Sequence, residues 1–223
     1  QDLTVGPSTP ATPDISFNGN VGTALLTPLG AITIANGYDV TFGGNVSAAS
    51  ITQDTGANST TFTGNVATTG AILITDGYDI TFSGTVNAAS ITQTNGANST
   101  TFAGDVTTNG AAGIDITATN IALDGLTMTA GTNPAADIAL TGAVTLSTTT
   151  VGLTAQNAIT VTGTVDGGVP FSATSTNDAN IVFNDPIGGT TPLASLSITG
   201  GDIILNGIGD NLGSGVTGTI TVT

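Results

Sequence analysis

Six amino acids are missing from this 223-residue chain: lysine, arginine, histidine, glutamate, cysteine and tryptophan. Each absence closes off chemistry. Without His, Cys, Lys or Glu there is no serine triad, cysteine nucleophile, Schiff base or imidazole metal site. Without Cys, no disulfide or thiolate site contributes. With no Lys or Arg to displace counterions, nucleic acid and anionic membrane surfaces are excluded as partners. All 15 charged side chains are Asp, for a formal net charge of −15, so no side-chain salt bridge can form. Every Asp has to be solvated, hydrogen-bonded to N–H groups or neutralised by a cation. Trypsin-like proteases find no cleavage site, which fits a harsh extracellular setting. The sequence has no run of 18 apolar residues, so no membrane insertion is expected. No basic n-region opens it either, and a secreted form would therefore have lost its leader, with Gln1 as the mature terminus.

What is present points to strands. Thr supplies 46 residues and Gly another 32, and Thr, Val and Ile suit a pleated, half-buried surface while Gly and Asn suit turns. A mean hydropathy of +0.34 argues against disorder. A phenylalanine returns at one fixed interval, at Phe42, Phe62, Phe82 and Phe102, in the phrases TFGGNV, TFTGNV, TFSGTV and TFAGDV. Residues 30–69 and 70–109 align without a gap, with 27 of 40 positions identical. A unit of roughly 20 residues cannot enclose a core alone and must stack on its neighbours. The expected fold is therefore all-β: a right-handed parallel β-solenoid (β-helix) of roughly ten coils, with the four rings as a core ladder.

Residues 1–14 carry Pro7, Pro10 and Pro13 and read as an extended N-terminal arm. A single solenoid domain follows over 15–223, regular in 30–109 and degenerate in 110–223. In 41–51, alternation points Phe42, Val46, Ala48 and Ile51 inward and Thr41, Asn45 and Ser47 outward. Gly44 falls on the inward parity, where a missing side chain makes room for bulky neighbours. The turns Asn36-Gly37-Tyr38-Asp39 and Asp76-Gly77-Tyr78-Asp79 alternate with a different pair, so the true period is two coils. Beyond residue 110, Leu123, Leu140, Val161, Phe183 and Leu205 occupy the place where Phe stood.

The reactive inventory reduces to Asp, Ser, Thr and Tyr. Paired carboxylates run glycoside hydrolysis, and Asp39 and Asp79 would lie two coils apart, about 10 Å. Each follows Gly-Tyr in a repeated turn, however, and repetition accounts for both without catalysis, so the chain reads as non-enzymatic. Calcium is the cofactor to weigh, because Asp and Asn turns suit a hard cation. Neither an EF-hand loop nor a complete G-G-x-G-x-D is present, which leaves Asp202 and Asp210 as metal candidates. Ranks of outward Thr-x-Thr bind ice in some solenoids, but Thr117/Thr119, Thr127/Thr129, Thr160/Thr162 and Thr219/Thr221 do not recur at the coil period. Asn45, Asn58 and Asn98 open glycosylation sequons, and exposed Thr would also accept glycans. Tyr38 and Tyr78, at equivalent turns, are expected to pack over a coil end rather than to stack on sugar.

An open β edge pairs with another chain unless it is protected. The last stretch, 216–223, alternates apolar residues with Thr and has no capping element. Ile220 and Val222 there, with Leu3 and Val5 on the proline-tethered arm, are the assembly candidates for head-to-tail strand addition between copies.

The TFxGxV phrases, together with GGTTPLASLSITGGDIILNG (188–207), resemble repeats of large secreted bacterial β-solenoid proteins of the filamentous haemagglutinin type, over roughly 16–208. That resemblance implies an extracellular protein of the bacterial cell surface, working in adhesion, filament or matrix formation. The expected function is a structural subunit of a surface filament, a homopolymer of this chain. An adhesin segment for carbohydrate or cell surfaces is the alternative, and ice binding a further one.

Overall fold

The computed structural model describes residues 1–6, 14–22, 28–35, 37–54, 58–209 and 215–223. The described residues form 24 strands and no helix, as the strand-favouring composition requires. Each coil contributes three strand segments, and each segment pairs in parallel with its equivalents one coil below and above. The core is the column of side chains that the three faces point inward.

On the first face the leading inward residues stack in register as Leu3, Ile32, Ile51, Ile72, Ile91, Ile114, Ile138, Ile159, Ile181 and Ile203. This isoleucine face runs the length of the rod, ten rungs deep and so nine full turns. Eight of those turns carry the chain from Ile32 to Ile203. One turn takes roughly 21 residues, at the short end of the range for stacked repeats. The second face holds the phenylalanines and the third a column of Val46, Val66, Val86, Val106, Met128 and Leu153. At about 4.8 Å per rung, nine steps make a rod of roughly 43 Å.

The Phe ladder is present and is one ring longer than the four TFxGxV copies indicate. Phe17, Phe42, Phe62, Phe82 and Phe102 stack at 5.0, 4.9, 4.9 and 5.1 Å between ring centres, within 10° of parallel. Such pairs add about 0.5–1.5 kcal/mol each beyond area burial. The ladder continues through Leu123 and then Leu146. Leu140, Val161, Phe183 and Leu205, expected as successors of Phe, lie instead in one column of the isoleucine face. Leu123 still follows Phe102, but its registered successor is Leu146 rather than Leu140, because the coil between them takes up more chain than a fixed period allows.

Gly44, Gly64, Gly84 and Gly104 are small for a different reason from the one their parity suggests. A Cβ on Gly64 would lie 2.6 Å from the Gly44 carbonyl carbon, and one on Gly84 2.6 Å from the Gly64 oxygen. Backbone stacks on backbone here, coil upon coil. Ser47, expected to point outward into water, is buried. Gly22 lies against its carbonyl, whereas its equivalents Ala67, Asn87 and Thr107 are exposed.

The two-coil period has a structural counterpart in the core. On alternate coils the second inward position of the isoleucine face is Ile34 or Ile74, and on the coils between it is Gln53 or Gln93, all buried. Each glutamine Oε1 accepts from a buried threonine, Thr60 or Thr100, at 2.8 Å. Gln53 Nε2 donates to the Asp76 carbonyl at 2.9 Å. Gln93 Nε2 is buried without a partner. On the next coil the corresponding corner is the continuous strand Ile114–Asp124, where Ala118 lies beside Gly96.

Candidate functional surfaces

The carboxylates are the only charged side chains, so their placement comes first. Asp39 accepts from the Ser59 hydroxyl at 2.7 Å and the Asn58 amide at 3.1 Å, and these two donors hold its carboxyl below the usual aspartate range. Asp79 repeats the arrangement two coils on, with the Asn98 amide at 2.8 Å and the Ser99 N–H at 3.2 Å. Asp124 accepts from Ser147 and Thr148 hydroxyls at 3.0 and 2.6 Å. Asp137 takes the Ala158 N–H, Asp166 those of Thr190 and Thr191, and Asp185 that of Gly163, all at 2.7–3.0 Å. Every one of these partners lies on the adjacent coil. Hydrogen bonds to a charged acceptor are stronger than neutral ones, so the aspartates staple coil to coil in a chain that cannot make salt bridges.

Asparagines do the same at another corner. Asn20, Asn45 and Asn65 each accept, through the side-chain oxygen, from the backbone N–H of the equivalent residue one coil on, at 2.9, 2.9 and 3.0 Å. Asn45 thus belongs to a ladder, and its sequon partner Ser47 is buried. Asn58 and Asn98 commit their amide nitrogens to Asp39 and Asp79.

Asp39 and Asp79 stand in one column with Ser59 between them. Asp202, a metal candidate, is exposed. Its backbone carbonyl accepts from the Ile181 N–H at 2.9 Å. Asp210, the other, lies outside the described residues, as does Asn36. Among the described residues no three His, Cys, Asp or Glu come together in a way that could hold a metal ion. A surface hollow lined by Pro28, Ser47, Ala48, Ala67, Thr68 and Thr69 carries no ionisable side chain. Tyr38 and Tyr78 leave about half of their surface in water, at 52% and 49% exposure.

The valine face carries an array that fixed-period inspection misses. Its outward positions in the second half are Thr127 and Thr129, Gly152 and Thr154, Ser172 and Thr174, Ser197 and Thr199, and Thr221 with Thr223. Thr199 and Thr223 hydroxyls are 3.0 Å apart. These five strands form two parallel columns, all but one position bearing a hydroxyl and none a charge. Their spacing in sequence is uneven, longer from Thr127 to Gly152 than from Gly152 to Ser172. Ser also substitutes for Thr, so a search for recurring Thr-x-Thr cannot find them. Strand register is the signal that does.

The assembly candidates fall at the two ends of the rod. Leu3 and Val5 are not on a free arm: Leu3–Val5 pairs with Ile32–Ile34 of the same chain as its first rung, and Val5 is buried. Pro7, Pro10 and Pro13 of the expected arm lie outside the described residues. Ile220 and Val222 sit on the last rung over Leu196 and Ile198, 47% and 48% exposed. Ile204 and Ile208 of that coil are exposed as well. The described residues contain no helix long and apolar enough to cross a membrane. No protein-family model, curated protein or solved structure matches the chain.

Proposed function

We propose that this chain is a non-enzymatic structural rod of the bacterial cell exterior that assembles end to end into a filament. The observation that carries the reading is the unbroken parallel register of the three faces, in which each rung pairs with the equivalent strand of the next, so that any uncovered rung presents a sheet edge and a core cross-section together. Ile220 and Val222 stand on the last described rung of one face, over Leu196 and Ile198. The resemblance to secreted filamentous haemagglutinin-type repeats points the same way. Electron microscopy and light scattering over a concentration series test it. Fibres one rod wide, lost in the double variant Ile220→Lys with Val222→Lys, are expected. Single short rods at every concentration would sink it and leave the adhesive reading.

A second reading, ice binding, is favoured by the hydroxyl columns of the valine face. Threonine is stiff at χ1, and strand pairing holds its hydroxyls in a lattice of about 4.8 by 6.7 Å, free of charge. Inhibition of ice recrystallisation by the purified protein, lost in Thr174→Tyr but kept in Thr81→Tyr on another face, is the outcome this reading requires. Absence of inhibition in the unaltered protein disposes of it.

A further inference from the structure

We propose that Tyr38 and Tyr78 form a stacking platform for a neutral, linear β-1,4-linked polysaccharide lying along the rod. The site lies within the regular coils and needs no second copy of the chain, so a single rod carries it.

The sequence holds seven Phe and two Tyr. The phenylalanines belong to the core or pack against it, whereas both tyrosines leave about half of their surface in water. Uncovered aromatic surface gathered at one place marks a contact site, and these two rings are gathered. Tyr38 precedes Asp39 and Tyr78 precedes Asp79, and Asp39, Ser59 and Asp79 stand on successive rungs. The tyrosines therefore share one column, two rungs apart, at about 10 Å. Their corners are built alike. A Cβ on Gly37 would lie 2.6 Å from Val40 Cγ2, and one on Gly77 2.6 Å from Ile80 Cδ1. Each glycine thus lets the corner close on the core and leaves the tyrosine after it on the outside.

The spacing selects the ligand. An extended β-1,4-linked glycan advances by about one rung per sugar, so two rungs, about 10 Å, match its disaccharide repeat. Every second sugar then offers the same flat, C–H-bearing face to a tyrosine ring. A coiled α-linked chain does not keep that register. Asn58 occupies the column between the rings, and its amide is drawn aside to Asp39, which leaves room for the intervening sugar.

Polar groups for sugar hydroxyls line the same face. The donors to Asp39 and to Asp79 all reach Oδ1, so Oδ2 of each carboxylate takes no part in that bonding and can accept from a hydroxyl. Thr41, Thr61, Thr81 and Thr101 form the next outward column of the same strands. With 15 Asp and no Lys or Arg, the rod repels sulfated and uronate glycans, and a neutral chain is the one that fits.

Native gel electrophoresis in hydroxyethyl cellulose and titration calorimetry with cellohexaose test the site. Binding to both is expected, insensitive to added salt because no ion pair is involved, and absent with dextran, an α-linked glucan. Tyr38→Ala and Tyr78→Ala should each weaken binding roughly tenfold, with circular dichroism unchanged because both rings lie outside the core. Tyr78→Phe keeps the ring and should bind as the unaltered protein does. No binding by the unaltered protein, equal retardation in dextran, or undiminished binding by the two alanine variants overturns the proposal.

Discussion

In residues 30–109, successive coils repeat side chains almost identically, and the phenylalanines there continue a stack that starts at Phe17, face on face with 4.9–5.1 Å between ring centres. In 110–223 the columns are mixed: Leu123 and Leu146 follow the rings, and Phe171 meets Phe183 edge-on at 84°. Both halves are nevertheless closed by the same parallel ladders and bury the leading column of the isoleucine face alike from Ile32 to Ile181. Identity between coils is thus one way to stack, and complementary volume is another. The solenoid needs only an apolar residue of tolerable size at each registered position. Repetition adds like-on-like stacking of rings and amides, while divergence leaves the outer surface free to vary, as the hydroxyl columns of the second half show.

The comparison can be broken most severely at the ring ladder. Phe62→Ala removes a ring stacked on both sides and should cost about 4 kcal/mol, against about 3 kcal/mol for Leu146→Ala in the same column. Denaturant unfolding followed by circular dichroism measures both. Equal losses would mean that ring stacking contributes nothing beyond volume.

A smaller effect sharpens the boundary between the halves. Gln93→Ile with Thr100→Ile copies the apolar pair Ile74 and Ile80 of the preceding coil. It also removes an amide that has no acceptor for Nε2. The double variant should gain on the order of 1 kcal/mol. The same exchange at Gln53 and Thr60 takes the donor away from the Asp76 carbonyl and should gain less or lose. If both exchanges shift the unfolding midpoint alike, the orphaned amide at the junction of regular and degenerate coils has no energetic consequence.

Much of the fold is legible in the residues. Alternation in the 41–51 stretch places Phe42, Val46 and Ala48 in the core, where they are found, because strand pleating is local and of period two. Ile51 is also buried but out of step with them, since Val46–Gln53 passes from the valine face to the isoleucine face. The isoleucine face is not visible as a column in the sequence. Ile51 follows Ile32 at a shorter interval than Ile138 follows Ile114, and a fixed period slides past them. Leu140 and Phe183 fall on the wrong face in such a reading for the same reason. The candidate sites are less legible still. Asp39 finds Asn58 and Ser59, and Asp124 finds Ser147 and Thr148, across a gap in sequence that is set by the length of the corners.

The sequence by itself determined that this chain winds: an apolar alternation repeated at a length too short to enclose a core must close against its own copies. Only the tertiary structure decided which residues share a column once the copies diverge, which faces carry hydroxyls, and where each carboxylate finds its donor. Those depend on hydrogen-bond register between neighbouring coils. Register follows from how much chain each corner takes up, and that is a property of packing rather than of any residue type.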